Sequence, residues 1–323
     1  MPAAAAHAPA QEPPAYVPRR PATSRILPLR GWNHHLQVWG EPEAAGDERP
    51  LLVLLHGWMD VGASFQFVVD ALTALEGPVR PVVAPDWRGF GRSVQPAGVP
   101  PPDSFWFPDY LADLDALLNA LSPGRPVDLV GHSMGGNVVM SYAGVRPETV
   151  RRLVNLEGFG LPDSPPEAAP ERLARWLDEL ATPMTLRDYA SAAEVADRLR
   201  RNNPRLPADK AAWLATQWAE PGADGRWRVR GDAAHRRINP VPYRAEEAVA
   251  TWRRIRAPLL WVEGEATDVG RWWGDRYPRS EFERRLASVG QVERAVLADA
   301  GHMLHHDQPE ALARRLHAFL VAP

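Results

Sequence analysis

A serine flanked by glycines is the first group in the sequence whose residue types and spacing could perform catalysis. Ser133 stands in Gly131-His-Ser-Met-Gly135, directly after an apolar run that begins at Val127 and directly before a helical pattern. A serine on a sharp strand-to-helix turn exposes its hydroxyl, and the two glycines let that turn close without side-chain clashes. The N-terminus of the following helix adds N–H donors and a favourable dipole for an oxyanion. The motif predicts that Ser133 is a nucleophile.

A histidine near the end of the chain is the candidate base for this serine. His302 follows the last predicted strand, Val292 to Leu297, and precedes the last predicted helix, Ala311 to Leu320. A histidine on a loop at that position can reach back to the serine and accept its proton during attack. We therefore predict that Ser133 and His302 form a catalytic pair.

An earlier strand end is suited to stabilising the oxyanion of such a reaction. The apolar run Leu51 to Leu55 leads into His56-Gly-Trp-Met-Asp60, which places a glycine-bearing turn where a second backbone donor is needed. We expect the backbone amides of Trp58 and Met134 to form the oxyanion hole. His56 lies beside the turn glycine, and we interpret it as a structural residue that braces the loop through hydrogen bonds.

The residues that follow His302 have the chemistry of metal ligands. His305, His306 and Asp307 lie within a few positions of one another, and imidazole and carboxylate are common ligands of zinc. However, no second cluster in the sequence supplies further ligands, and the entry to the final helix explains these residues equally well. Cysteine is absent, which excludes thiolate ligands, thiolate nucleophiles and disulfides. We expect no metal and no cofactor.

The elements that must position these residues alternate along the chain. Continuous apolar runs, as expected for strands buried on both faces, are separated by segments with helical periodicity. This alternation predicts an α/β fold with a mostly parallel sheet that is flanked by helices on both faces. The strand runs begin at Arg25, Leu36, Leu51, Pro81, Val127, Leu153, Leu259 and Val292, and the helical segments include Phe65–Leu75, Tyr110–Leu121, Val138–Val145 and Ala311–Leu320.

One long segment interrupts the alternation and suggests a domain organisation. Residues 161–256 contain helical stretches but no strand-like run, so we expect an inserted helical cap over the carboxyl edge of the sheet. The core is then formed by residues 23–160 and 257–323. Residues 1–22 are rich in alanine and proline and have no periodic apolar face, and we expect them to form a disordered leader.

Together these motifs resemble the α/β-hydrolase fold family, in particular its serine-hydrolase-like group. The resemblance rests on the chain order Ser133, acid, His302, on His56-Gly-Trp-Met-Asp60, and on Asp86-Trp-Arg-Gly-Phe-Gly-Arg-Ser93, which we interpret as a structural loop. It covers about Leu51 to Pro162 and Pro258 to Leu320 and implies the α/β-hydrolase fold with a serine–histidine–acid triad.

The resemblance leaves two positions open for the acid. Asp268 lies in the loop after the Leu259 strand, where these enzymes usually place it, although Gly264 stands four residues before it rather than the usual three. Glu157 follows the preceding strand, where some relatives with an aspartate nucleophile carry their acid. We favour Asp268 and keep Glu157 as the alternative.

Composition restricts the partners of the protein. The net charge is −3 at pH 7, the isoelectric point is about 6.4, and no apolar stretch is long enough to span a membrane. These values give no electrostatic basis for binding nucleic acid or an anionic membrane. We expect a cytoplasmic protein that acts on a small molecule.

The predicted reaction is hydrolysis of a carboxylic ester through an acyl-enzyme, because a serine nucleophile transfers acyl groups to water. Two alternatives remain open. The first is a serine hydrolase that cleaves a carbon–carbon, lactone or amide bond, or a cofactor-free perhydrolase. The second is a non-catalytic ligand-binding member of the fold, since a fold does not determine a function.

Overall fold

The computed structural model describes residues 15–76 and 80–322, so most of the expected leader, residues 1–14, lies outside it. The strands of the main sheet confirm the runs predicted from the sequence. Within the described residues these strands are β1 (Thr23–Leu29), β2 (Trp32–Trp39), β3 (Leu52–Leu55), β4 (Val82–Pro85), β5 (Val127–His132) and β6 (Val150–Leu156). Three short strands, β7 (Asp188–Tyr189), β8 (Ala219–Pro221) and β9 (Trp227–Val229), follow before β10 (Leu259–Gly264) and β11 (Val292–Leu297) complete the main sheet.

The main sheet, as far as the structure describes it, has eight strands in the order β1-β2-β4-β3-β5-β6-β10-β11. The pairings from β4 to β11 are parallel, whereas β1 and β2 are antiparallel to their neighbours. Parallel strands present their carboxyl ends at one edge of a sheet, where loops can bring distant residues together. The predicted mostly parallel sheet is therefore confirmed, and β3, β5 and β6 lie side by side at its centre.

Helices cover both faces of this sheet. The α-helices in the described part of the chain are α1 (Gln66–Glu76), α2 (Phe107–Leu121), α3 (Met134–Val145), α4 (Ala169–Leu180), α5 (Ala192–Asn202), α6 (Ala208–Trp218), α7 (Ala245–Trp252), α8 (Gly270–Trp273), α9 (Arg279–Leu286), α10 (Leu304–Asp307) and α11 (Pro309–Val321). One apolar cluster packs α2, α3 and α7 against the sheet, and a second packs α1 and α11 against its other face. Because strands such as β3 are completely buried, nearly every one of their side chains is apolar.

The segment predicted as a cap contains more than helices. The expectation that residues 161–256 lack strands is wrong, because β7, β9 and β8 form a small antiparallel sheet there. These strands have two or three residues each, which is too short for a recognisable alternation of apolar and polar side chains. Helices α5 and α6 pack together beside this sheet around a third apolar cluster.

An imidazole sandwich joins this segment to the core. His235 stacks between Phe90 and Phe105, with ring centroids 3.6 Å away on each side. Its Nε2 lies 3.2 Å from the carbonyl oxygen of Arg88, and its Nδ1 lies 3.2 Å from the hydroxyl of Tyr110. The tautomer that donates from Nε2 and accepts at Nδ1 satisfies both contacts. Burial lowers the pKa of His235 to about 3, so the ring is neutral in the folded protein.

The expectation of a disordered leader up to residue 22 is wrong for residues 16–20. The Tyr16 hydroxyl donates to Asp70 Oδ2 at 2.5 Å, and the amides of Arg19 and Arg20 donate to the same carboxylate. The Tyr16 ring packs edge-on against Phe67 of α1 at 5.0 Å and against Trp213 of α6 at 5.4 Å. A single half-buried tyrosine therefore attaches this segment to both the core and the α5–α6 pair. The segment has no periodic apolar pattern from which this attachment could be predicted.

None of the helices among residues 15–76 and 80–322 combines the length and the apolar character needed to cross a bilayer.

Candidate active site

Ser133 occupies a strained turn between the end of β5 and the first residue of α3. Its backbone has φ 52° and ψ −113°, a conformation rarely adopted by a residue with a side chain, and its amide donates to the Leu156 carbonyl at 2.8 Å. The flanking glycines are required by close contacts. A Cβ at Gly131 would lie 2.3 Å from the Gly135 oxygen, and one at Gly135 would lie 2.2 Å from the Leu55 oxygen. The turn predicted from the motif is present, with Ser133 at its apex.

The structure brings His302 to this serine, as the sequence predicted. His302 Nε2 lies 3.0 Å from Ser133 Oγ, across 169 positions of the chain. His302 Nδ1 lies 2.7 Å from Glu157 Oε2. Since a carboxylate can only accept, Nδ1 carries the proton and Nε2 is left to accept a hydrogen bond from the serine hydroxyl. This is the tautomer that a general base requires.

The structure places Glu157 at His302 Nδ1, the position at which Asp268 was expected. Both ring nitrogens of His302 have partners, and the carboxylate at Nδ1 is that of Glu157. Asp268 is exposed, and its carboxylate accepts instead from the amide of Gly270 in its own loop. Glu157 is 1% exposed, directly follows β6, and has a positive φ of 57° that turns it out of the strand. Its second oxygen, Oε1, accepts from the Gly264 amide at 2.6 Å.

The loop after β3 lies against the serine, as expected for an oxyanion loop. A Cβ at Gly57 would lie 3.2 Å from Ser133 Cβ, so the backbone next to Trp58 passes close to the reacting hydroxyl. Met134 is the first residue of α3, and the amides in the first turn of a helix have no partner within that helix. The expected donors, the amides of Trp58 and Met134, therefore belong to the two segments that border Ser133.

His56 has the structural role expected from its position. Its Nδ1 donates to the Gly57 carbonyl at 2.7 Å, and its Nε2 accepts from the Trp87 amide at 3.0 Å. The contact at Nε2 holds the loop after β3 against the segment after β4, and the contact at Nδ1 lies within the loop itself. Burial lowers the pKa of His56, which keeps the ring neutral.

The loop that carries His302 is fixed by two further contacts. His132 donates from Nε2 to the His302 carbonyl at 2.7 Å, and burial holds the pKa of His132 well below its ordinary value. Asp307 accepts from the Gly301 amide at 2.8 Å and from the Asn203 side chain at 2.7 Å. Because Asn203 follows α5, this second contact joins the inserted segment, residues 161–256, to the loop that carries His302.

A cavity of about 230 Å³ opens onto the Ser133 hydroxyl. Its walls come from the loop after β3, the His302 loop and the α5–α6 pair, and most of the surface is apolar. The residues contributed by the α5–α6 region are Leu199, Asn202, Asn203, Leu206, Leu214 and Trp218. No sequence pattern marks these residues as pocket residues, because their helical spacing is equally typical of ordinary packing.

The tryptophans of the chain divide between the cavity and the packing. Trp218 lines the cavity, and Trp272 lies edge-on to the His302 ring at a centroid distance of 4.6 Å. Trp213 packs against the N-terminal segment and Trp252 is buried in the core. Tryptophans therefore contribute both to the candidate site and to packing elsewhere in the fold.

Comparison with known proteins agrees with this fold and its motifs. The chain is 25% identical over 317 residues to a serine hydrolase-like protein of Danio rerio, an alignment that covers 94% of this chain and 89% of the relative. It is 30% identical over 285 residues to a 3-hydroxybutyrate-oligomer hydrolase of Cupriavidus necator, covering 85% and 88% of the two chains. The solved thioesterase domain from the curacin biosynthetic pathway is 28% identical with a TM-score of 0.77, covering 92% and 99%.

The sequence model of one family accounts for most of the molecule. It matches residues 52–315 and therefore includes β3, the Ser133 turn, the inserted segment and the His302 loop. The match supports the resemblance inferred from the motifs. The chain belongs to the alpha/beta hydrolase family.

Proposed function

We propose that this hydrolase-family protein cleaves carboxylic esters through an acyl-enzyme on Ser133. The observation that carries the proposal is the continuous chain of contacts from Ser133 Oγ to His302 Nε2 and from His302 Nδ1 to Glu157 Oε2. A non-catalytic binding protein has no need for a strained serine whose hydroxyl is hydrogen-bonded to a correctly protonated imidazole.

The chemistry follows from this arrangement. His302 Nε2 removes the hydroxyl proton as Ser133 Oγ attacks the ester carbonyl, and the imidazolium then protonates the departing alcohol. Glu157 fixes the ring orientation and stabilises its charged form. Water, activated by the same imidazole, hydrolyses the acyl-enzyme and releases the acid.

We assign the oxyanion hole to the amides of Trp58 and Met134. The two amides belong to the two segments next to Ser133, the loop after β3 and the start of α3. Each donor aimed at the tetrahedral intermediate contributes about 3–4 kcal/mol of transition-state stabilisation in comparable enzymes.

The size and lining of the cavity favour small apolar substrates. At about 230 Å³ it is below the usual range of ligand pockets, about 300–1,000 Å³, and Leu199, Leu206, Leu214 and Trp218 give it apolar walls. We therefore propose esters in which one side is short. The relative from Cupriavidus necator is named for hydrolysis of an oligoester of a short hydroxy acid, which supports including such oligomers among the candidate substrates.

Thioesters are the second candidate, because the solved structure with 28% identity is a thioesterase domain. The same acyl-enzyme forms from an ester or a thioester, so the candidate site serves both reactions. Comparing kcat/KM for an oxygen ester and a thioester with identical acyl groups would decide between them.

The proposal is tested by labelling and by turnover. A fluorophosphonate probe should label the wild-type protein at Ser133, and p-nitrophenyl esters should be hydrolysed faster with short than with long acyl chains. A 3-hydroxybutyrate oligomer and an acyl thioester complete the panel. A protein that is folded but neither labelled nor active on any of these substrates would contradict the proposal.

A further inference from the structure

Three polar side chains form a buried cluster beside the candidate active site. Asp60 comes from the loop after β3, whereas His305 and His306 belong to α10. All three are almost completely buried, and one potential metal ligand atom from each lies within 4.8 Å of the others. In the sequence the two histidines are followed by Asp307, but in the fold Asp307 accepts from Gly301 and Asn203, and Asp60, 245 positions before His305, joins the histidines instead.

The two imidazoles of this cluster have few partners in the protein. His305 Nδ1 and His306 Nε2 are buried and receive no hydrogen bond from any described residue. His305 Nε2 lies 3.5 Å from Ser64 Oγ and 3.7 Å from Asp60 Oδ2, and both separations are too long for a good hydrogen bond. Buried ring nitrogens are normally satisfied, so these rings have capacity for a further partner.

The spacing between carboxylate and imidazole suits a metal ion better than a hydrogen bond. Two ligand atoms on a tetrahedral zinc ion, with bonds of about 2.0–2.1 Å, lie about 3.4 Å apart. The observed 3.7 Å between Asp60 Oδ2 and His305 Nε2 is close to that value. The other separations between ligand atoms are at most 4.8 Å, and small side-chain movements would bring them to the distance that a bound ion requires.

The surroundings hold the ligands in place. Ser64 Oγ donates to Asp60 Oδ2 at 2.9 Å and thereby orients the carboxylate, as the outer partners of metal ligands commonly do. Phe65 and Phe67 pack against the rings of His305 and His306, with centroid distances of 5.1 and 5.7 Å. These aromatic neighbours limit rotation of the imidazoles without occupying their nitrogens.

We propose that Asp60, His305 and His306 bind one divalent transition-metal ion of the zinc type. Two imidazoles and a carboxylate are typical of Zn²⁺ and Co²⁺ sites with an open position, whereas Mg²⁺ and Ca²⁺ prefer oxygen ligands only. Asp60 and His306 both line the cavity that opens onto Ser133. An ion can therefore reach the cluster through the cavity, and it would lie in the cavity wall. Binding itself does not depend on the proposed ester hydrolysis.

The test is a titration of the full chain, prepared without a polyhistidine tag, with Co²⁺. We expect one equivalent to bind with the visible absorption of a four- or five-coordinate ion, and Zn²⁺ to displace it. Mg²⁺ should not compete. Isothermal titration calorimetry with Zn²⁺ gives the affinity independently of the spectrum and of any catalytic activity.

Three variants locate the site. His305→Gln, His306→Gln and Asp60→Asn should each weaken Zn²⁺ binding by at least about tenfold, whereas His317→Gln on α11 should bind as the wild type does. Melting curves in the presence of a chelator identify any variant that has lost its fold. His306→Gln is the mildest change, because this ring lines the cavity. Absence of binding to the wild type, or unchanged binding in both folded histidine variants, would overturn the proposal.

Discussion

The identity of the acid gives the sharpest test of the candidate site, through the variant Glu157→Gln. Glu157 uses both of its oxygens: Oε1 accepts from the Gly264 amide at 2.6 Å and Oε2 accepts from His302 Nδ1 at 2.7 Å. A glutamine has only one oxygen to offer. If that oxygen stays on the Gly264 amide, the NH₂ group must face His302.

This substitution should therefore force the wrong tautomer on the base. An NH₂ group can only donate, so Nδ1 must accept and the ring proton moves to Nε2. Nε2 then points a hydrogen at Ser133 Oγ, 3.0 Å away, and can no longer remove the hydroxyl proton. The equivalent change in a serine protease triad lowers kcat by about 10⁴, which corresponds to about 5 kcal/mol in the activation barrier.

Asp268→Asn is the matched control, since it removes the same charge from the other candidate. The Asp268 side chain is exposed and accepts only from its own loop, so the change should alter the barrier by no more than about 0.5 kcal/mol, or about twofold in rate. The assay is kcat and kcat/KM on a short-chain p-nitrophenyl ester, with melting temperatures for both variants. If folded Asp268→Asn lost activity while Glu157→Gln kept it, the assignment from geometry would be refuted.

Three further predictions concern the nucleophile, the sandwich and the N-terminal segment. Ser133→Ala should abolish fluorophosphonate labelling and lower kcat by at least about 10³-fold. The control Ser141→Ala, on the helix that follows Ser133, should behave as the wild type. Labelling that persists in Ser133→Ala would exclude Ser133 as the nucleophile. The pKa of His235 is about 3 in the folded protein and about 6.5 in the unfolded chain. The neutral ring therefore favours the folded state fully above pH 6.5, and this contribution to the free energy of unfolding is lost as the pH falls from 6.5 towards 3. Denaturant titrations at pH 7 and pH 5 should show that the free energy of unfolding falls by about 1–2 kcal/mol more in the wild type than in His235→Phe. An equal fall in both proteins would contradict a neutral buried ring. Tyr16→Ala should lower the free energy of unfolding by about 2 kcal/mol and Tm by about 4–8 °C. The control Val17→Ala changes a side chain that is 78% exposed and should leave Tm unchanged. If Tyr16→Ala had the same Tm as the wild type, the segment would not stabilise the fold.

The contact between Ser133 and His302 could be anticipated from local signals in the sequence. Ser133 lies in a turn that requires its glycines, because a Cβ at Gly131 or Gly135 would lie 2.2–2.3 Å from a backbone oxygen of the same strand–turn–helix unit or of the neighbouring strand. His302 lies between the last strand and the last helix, so its place at the sheet edge follows from the order of elements alone. Such short-range requirements leave a recognisable pattern of residues.

The carboxylate that contacts His302 could not be located in the same way, because the contact is made between residues that follow different strands. Two neighbouring strands, β6 and β10, each end in acidic residues at the same edge of the sheet. The choice depends on the backbone turn at Glu157, with φ 57°, and on the capture of Asp268 by the Gly270 amide. Neither feature changes the spacing of residues along the chain.

The third side chain of the proposed metal site was missed for a related reason. In the sequence Asp60 is the last residue of the His56 motif, and its neighbours in space, His305 and His306, follow it by about three quarters of the chain. A cluster that is assembled by packing α10 under the loop after β3 has no sequence signature in either segment.

The attachment point around Tyr16 also makes the protein convenient to label. Lys210 is the only lysine of the chain, and its Nζ lies 5.0 Å from the centre of the Phe67 ring, in the contact where α6 meets α1. Trp213, one turn further along α6, packs against the same phenylalanine. An amine-reactive dye would therefore be directed, apart from the terminal amine, to the boundary between the inserted segment and the core. Quenching of that dye by Trp213 would report separation of α6 from α1 without any engineered residue.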